Sequence, residues 1–276
     1  VTGPFPKQSK QREEVIANIT SVSFHSARQS ADDDKYAAIR AEGAVVKFFD
    51  DDAMAQSAYE VSKALSEAGV VDSAFGAFEN LRPMAYRADL WRYMMLWHEG
   101  GIYLDMNVEV FQNLSTWIDF DNDELLLVQD AGPNSYWNAI MAARPRDRAL
   151  EVVIKKIVEA VRDHQYGRND LDITGPQALY RALQLVDGKE RHITVQHALQ
   201  FRNLVDCGSF PKPPCTVEVV GTGQRNPDVV IARKAPSPSL QAAVHSSGHH
   251  YSELYRKHAV YCDEPGPPCP TFTPPA

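Results

Sequence analysis

The stretch YRADLWRYMMLWHEGGIYLDMNVE, residues 86–109, decides the fold. Tyr86, Leu90, Met94 and Trp97 recur at helical spacing, and Trp91 and Met95 widen the same apolar face; this periodicity predicts a helix and not a strand. Gly100 and Gly101 then supply a backbone that can leave the helix in a left-handed conformation. Ile102, Tyr103 and Leu104 form a short run of β-branched and aromatic character, which predicts a buried strand ending at Asp105 and Asn107. In α/β sheets, ligands bind beyond the carboxyl ends of such strands. Asp89 and Arg92 stand one helical turn apart on the preceding helix, so both can face that mouth. Arg87, Asp89, Arg92 and Asp105 crowd an otherwise apolar segment. Buried charges need partners, so these four form either a structural ion-pair network or a site.

Outward from this centre, strands alternate with helices. Ile19–Phe24 and Val45–Phe49 read as strands, the second followed at once by Asp50, Asp51 and Asp52. Ala53–Ala68 reads as a helix and Phe75–Arg82 as a loop entering the central helix. Glu124–Gln129 is a further apolar strand, and Ser135–Ala143 carries Trp137 and Asn138. Arg146–His164 is a long amphipathic helix with Leu150, Val153, Ile154, Ile157, Val158 and Val161 on its apolar face. Thr174 is a candidate N-cap, with Pro176 in the first turn, for a helix reaching Leu185. Val217–Val220 and Val229–Ala232 read as short strands. The expected fold class is therefore α/β: a single domain with a central mixed, mostly parallel sheet and helices on both faces. Residues 13–262 form that domain, residues 1–12 a stem or linker, and residues 263–276 a loose Pro-rich tail.

The chain has 276 residues, 44% of them hydrophobic, enough for a full core. No apolar run approaches the ~20 residues of a membrane span. The net charge of -8 argues against nucleic acid as a partner. The first residue is Val1, which reads as a processed or trimmed piece whose signal peptide or membrane anchor has been lost. Four cysteines suit two disulfides in an oxidising compartment, Cys207 with Cys215 and Cys262 with Cys269 being the natural pairs among three possible pairings. Neither pair has the spacing of a zinc knuckle. Sequons at Asn18 and Asn113 are compatible with a secretory route.

The string R-A-D-L-W-R-Y-x-x-L-x-x-x-G-G-I-Y-L-D-M-N, from Arg87 to Asn107, resembles the signature of glycosyltransferase family 32, the DXD-containing sugar-binding group. That group includes fungal Golgi mannosyltransferases and animal α-1,4-galactosyl and N-acetylglucosaminyl transferases; clostridial glucosylating toxins share the local pattern. Val46–Asp51, the segment Asn138–Pro145 and Ile173-Thr-Gly-Pro176 resemble neighbouring family segments, extending the likeness over about residues 45–180. The resemblance implies a GT-A-like fold and a retaining hexosyltransferase. Its donor would be a UDP- or GDP-linked sugar, its cofactor Mn²⁺ or Mg²⁺, and its acceptor a glycan, glycolipid or protein. By position it implies that Asp89 and Arg92 hold the donor sugar and phosphate, with Tyr103, Asp105 and Asn138 also at the donor. Asp105, Asn107 and His245 would ligate the metal, His245-Ser-Ser-Gly resembling the family's closing His-x-x-Ser segment. His249 and His250 are the other candidates for that third ligand. The implied setting is the secretory pathway, the Golgi lumen or the outside of the cell after secretion.

One position departs from the pattern: the motif is Asp105-Met106-Asn107 and not Asp-x-Asp. An amide oxygen ligates a hard cation without the full charge of a carboxylate, so metal affinity is expected to be lower. Glu109, two residues further along the strand, is a candidate to compensate. A non-catalytic sugar-nucleotide or glycan-binding protein with a degenerate metal site is the alternative. An aspartyl-phosphate hydrolase is disfavoured, because its motif belongs on the first strand and is followed by Gly or Thr, whereas Val108 follows here.

Overall fold

The computed structural model describes residues 19–22, 37–105, 108–119, 123–130, 132, 134–186, 195–203, 217–221, 229–234 and 250–272. Asn107, His245, His249, Cys207 and Cys215 lie outside these residues, so the expectations placed on them are not addressed by the structure.

The central helix forms where the periodicity puts it, as α4 (Met84–Glu99). Every residue from Tyr86 to Trp97 is buried, the polar ones included. A helix covered on all sides is a core element, not a surface one. Gly100 ends it with φ 71° and ψ -157°, a conformation open to glycine alone. A Cβ there would lie 2.6 Å from Pro145 Cδ and 2.8 Å from Pro145 N. The chain then enters β3 (Gly101–Asp105).

Among the described residues, nine strands make one sheet in the order β2-β1-β3-β6-β5-β7-β8-β9-β4. The others are β1 (Ile19–Val22), β2 (Val46–Lys47), β4 (Val108–Val110), β5 (Leu125–Gln129), β6 (Tyr136–Ala143), β7 (Val195–Asn203), β8 (Val217–Gly221) and β9 (Val230–Lys234). The expected mostly parallel sheet is not what forms. β1 runs parallel to β2 and β3, and β5 to β7; the other five ladders are antiparallel. The cause is local. Only residues 130–135 join β5 to β6, too few for a crossover, so β6 returns antiparallel and lodges between β3 and β5.

Side chains alternate across the sheet with period two. Tyr103, Leu125, Leu127 and Met141 face a core built with α2 (Asp51–Glu67), α3 (Ala74–Asn80), α4, α6 (Arg148–Arg162) and α7 (Pro176–Leu183). Ile102, Leu104, Leu126, Val128 and Ile140 face a smaller core on the other side. That core takes Ile39 from α1 (Ala37–Ala41) and Leu114 and Trp117 from α5 (Leu114–Trp117). The helices thus divide unequally: the long ones all sit on one face.

Three local readings change. Asp50 is the N-cap of α2, accepting from the Ala53 N–H at 2.8 Å. The expected loop before the central helix is α3, because Phe78 is fully buried and the Phe75 N–H donates to Ser62 Oγ at 3.0 Å. That packing overrides the poor helix propensity of Gly76. The segment Asp263–Phe272 is not loose either. The disulfide Cys262–Cys269 closes it, and Phe272 packs on Phe78 at 5.7 Å. It follows α8 (Tyr251–Arg256) in the chain. No helix among the described residues is long and apolar enough to cross a membrane.

Two outcomes follow from this framework. Gly100→Ala is expected to lower stability by about 3 kcal/mol, from backbone strain and the clash with Pro145; a shift in the urea midpoint measures it, and a loss below about 1 kcal/mol would mean the turn relaxes freely. Asp147 caps α6, accepting from the Leu150 N–H at 3.0 Å, and burial pushes its carboxyl up to about 6. The folded chain therefore holds the Asp147 proton more tightly than the unfolded chain does. Its contribution is present in full at acid pH and is lost as pH rises through about 6. Asp147→Asn keeps the cap and cannot ionise. The stability of wild type relative to this variant is expected to fall by about 2–3 kcal/mol between pH 4 and pH 7; parallel curves would show that Asp147 does not titrate in this range.

Candidate active site

The site is built where α4, the carboxyl end of β3 and the start of β6 meet. Asp89 lies inside the helix and accepts at both oxygens. Asn138 Nδ2 donates to Oδ1 at 3.0 Å and Thr174 Oγ1 to Oδ2 at 2.9 Å. Arg92 Nη2 adds an ion pair to Oδ1 at 3.2 Å. Asn138 Nδ2 also donates to Tyr93 Oη at 2.9 Å, and Tyr93 Oη to the Thr174 carbonyl at 3.1 Å. Gly175 lets the following turn come close: a Cβ there would stand 3.4 Å from Asp89 Oδ2 and 3.2 Å from the Leu171 carbonyl.

Arg92 bridges the helix to the sheet. Its Nε donates to the Ala88 carbonyl at 3.2 Å and its Nη1 to the Asn138 carbonyl at 2.7 Å. The guanidinium lies 4.6 Å from the Tyr103 ring centroid, and Nη1 is 3.6 Å from Asp105 Oδ1. Tyr103 donates to that same Oδ1 at 2.7 Å. At the other oxygen of Asp105 stands Lys234 Nζ, 2.5 Å from Oδ2. Of the residues expected at the site, Asp89, Arg92, Tyr103, Asp105 and Asn138 therefore converge in one hydrogen-bonded cluster.

The two carboxylates are held in opposite ways. Burial pushes Asp89 above the ordinary carboxylate range, and Arg92, Thr174 and Asn138 pull against it without cancelling it. Burial would raise Asp105 too, but Lys234 and Arg92 outweigh that and hold it below the ordinary range. Burial pulls Arg92 down, and its neighbours Tyr103, Asp89 and Asp105 more than offset that. The environment thus favours the neutral form of Asp89 more than an exposed carboxyl would, and holds Asp105 ionised.

Other expected residues stand elsewhere. Arg87 is fully buried but faces away from the mouth. Its Nε and Nη2 donate to the Leu81, Glu79 and Pro270 carbonyls, and its guanidinium lies between the Phe78 and Phe272 rings. Thr174 does not cap α7; Gly175 holds that position, and the Thr174 hydroxyl serves Asp89 instead. Glu109 is exposed on β4, opposite Arg233 of β9, so it is no longer on the strand of Asp105. His250 caps α8, its ring accepting from the Ser252 N–H at 3.3 Å and stacking on Tyr251.

Tyr93, Thr174 and Lys234 were missed as site residues. Tyr93 stands four residues after Asp89, on the same helix face, which was a usable signal. Lys234 carried none, because strand pairing alone brings it in.

A divalent ion fits this donor set in part. Asp105 is an ionised oxygen donor at a strand end, which suits a hard cation. Among the described residues, however, no group of three or more His, Cys, Asp or Glu side chains is placed to hold an ion. Lys234 also occupies one of the Asp105 oxygens.

Residues 20–123 match the family model described as the glycosyltransferase sugar-binding region containing a DXD motif. The resemblance read from the central signature is borne out over that stretch, which includes Asp89, Arg92 and Asp105 but stops short of Asn138, Thr174 and Lys234. Among solved structures, the PaToxG glycosyltransferase is similar at 15% identity, over 66% of this chain and 78% of that one, with a TM-score of 0.41. No curated protein matches. The match to that family model supports a glycosyltransferase role.

Replacing Arg92 with Met is expected to cost about 3–5 kcal/mol, since it leaves buried Asp89 and Asp105 facing each other without their shared cation. Denaturant unfolding at neutral pH measures this. A loss under about 1 kcal/mol would show that water solvates the cluster.

Proposed function

We propose that the chain transfers a hexose from a nucleotide diphosphate sugar, UDP- or GDP-linked, to a hydroxyl of a glycan, glycolipid or protein. The observation that carries this reading is the union of Asp89, Arg92 and Asp105, all inside the stretch that matches the sugar-binding region, with Asn138 from beyond it, at the carboxyl end of β3. Asp89 would accept hydrogen bonds from the sugar hydroxyls. Arg92 donates to the Ala88 and Asn138 carbonyls and pairs with Asp89, so it would act chiefly by fixing Asp89 against β6 beside Asp105. A divalent ion, Mn²⁺ or Mg²⁺, held by Asp105 with Asn107 and His245, would neutralise charge on the departing diphosphate.

The transfer would retain anomeric configuration. The acceptor oxygen bonds to the anomeric carbon as the bond from that carbon to the phosphate oxygen breaks, on the same face, and the acceptor proton passes to the departing phosphate oxygen. Positioning and charge stabilisation then supply most of the rate. The disulfide Cys262–Cys269 fits an oxidising compartment, and the Golgi lumen meets that requirement.

Hydrolysis of a panel of UDP- and GDP-sugars, with and without Mn²⁺, tests the reading, alongside calorimetric binding of the same donors. Slow, metal-stimulated hydrolysis of at least one donor is expected, falling about a hundredfold or more in Asp105→Asn at unchanged circular dichroism. Binding without turnover would mark a sugar-nucleotide-binding protein instead. Failure to bind any nucleotide sugar would remove the proposal.

A further inference from the structure

Lys234 is the last residue of β9, and its place is fixed from both sides. It stands opposite Val108 in the ladder with β4 and opposite Val217 in the ladder with β8. Val108 is only three residues past Asp105, so the pairing of β4 with β9 returns the lysine to the mouth of β3. There its ammonium meets Asp105 Oδ2 at 2.5 Å and lies 5.4 Å from the Trp137 ring centroid. The other cation of the cluster, Arg92, keeps 6% of its side chain exposed, against 27% for Lys234. One positive charge is thus locked in the core, and the other borders solvent on a flexible four-carbon stem with three rotatable donors.

Position and exposure together define a task. A hard divalent ion needs a charged carboxylate oxygen at about 2.0–2.6 Å. At Asp105, Lys234 sits at that distance from Oδ2, and the other oxygen already accepts from Tyr103 and faces Arg92. Ammonium and dication cannot share Oδ2 without strong repulsion, so one must yield. The side chain that yields remains in reach of whatever anion lies at the mouth.

We propose that Lys234 is a built-in cation of the donor site, which competes with a divalent ion for Asp105 and pairs with the diphosphate of a bound nucleotide sugar. The proposal rests on the glycosyltransferase reading given above. It gives this chain a source of positive charge for the diphosphate beside the Asp-Met-Asn motif, whose amide carries no charge of its own.

Calorimetry with UDP and GDP, in chelator and in Mn²⁺, together with electron paramagnetic resonance of free Mn²⁺, tests it in the full chain. Lys234→Met is expected to bind Mn²⁺ about tenfold more tightly and to bind the nucleotides about tenfold more weakly in chelator. Lys234→Arg, which keeps the charge, is expected to retain binding in chelator. Should Lys234→Met fail to fold, Lys234→Gln carries the same two expectations. Wild-type levels of Mn²⁺ and nucleotide binding in the neutral variants overturn the role of the lysine alone. A wild-type chain that binds neither nucleotide under any condition overturns the glycosyltransferase reading, and this proposal with it.

Discussion

The ion pair between Asp89 and Arg92 inside α4 is the constraint that the site obeys. Neither side chain is more than slightly exposed, so each needs partners within the protein. Those partners come from distant parts of the chain: Asn138 from the first half of β6, Thr174 from the turn before α7, and Asp105 from the end of β3. Meeting the needs of one buried pair therefore fixes how the sheet, the central helix and the α7 turn stand relative to each other. Breaking a buried pair costs far more than its net stabilising value, which makes such a cluster a device for position more than for stability.

The same helix anchors the far end of the molecule. Arg87 lies two residues before Asp89 and points the other way, into the carbonyls of Glu79, Leu81 and Pro270. Arg82 reaches the Ala259 and Glu264 carbonyls. Between them, the two arginines fasten residues 259–272 across the ends of α3 and α4, and the disulfide keeps that segment short enough to be fastened. Arg87 places its Nε and Nη2 donors on carbonyl oxygens, whereas Arg82 does so with Nη1 and Nη2 and its buried Nε finds no partner among the described residues. The charge crowding read in residues 87–105 is thus two separate networks on opposite sides of one helix.

What could be read in the sequence follows the range of the interactions. Helical spacing around Leu90, the glycine stop and the apolar run at Ile102 are local signals, and they placed α4 and β3 correctly. Asp89, Arg92, Tyr103 and Asp105 fell within one such segment, and the family likeness added Asn138. Sheet direction was not readable, because it depends on the short β5–β6 connection and on which neighbour β6 finds. Helix α3 was hidden by Gly76 and became visible only through the burial of Phe78. Lys234 lies 129 residues from Asp105 and meets it through strand register alone. Periodicity and local motif carry no trace of such a pairing.

Charge counting at the mouth explains why that missing residue matters. With both carboxyls ionised, Asp89 and Asp105 bring two negative charges against the two positive ones of Arg92 and Lys234, so the cluster then carries no net charge by itself. A diphosphate entering a neutral, half-buried site gains little from it. Favourable binding needs either an added cation or the release of one already present. The chain's net charge of -8 makes the general field of the protein unhelpful to an anion, so the correction has to be local. Arg92 is poorly suited to release, being buried and bonded to carbonyls on both α4 and β6. Among the described residues Lys234 has one carboxylate partner, with a flexible stem and access to solvent, so under the proposal above it is the cation free to leave Asp105 to a divalent ion. In this arrangement one ion pair links the end of β9 to the end of β3 and keeps a positive charge beside that strand end.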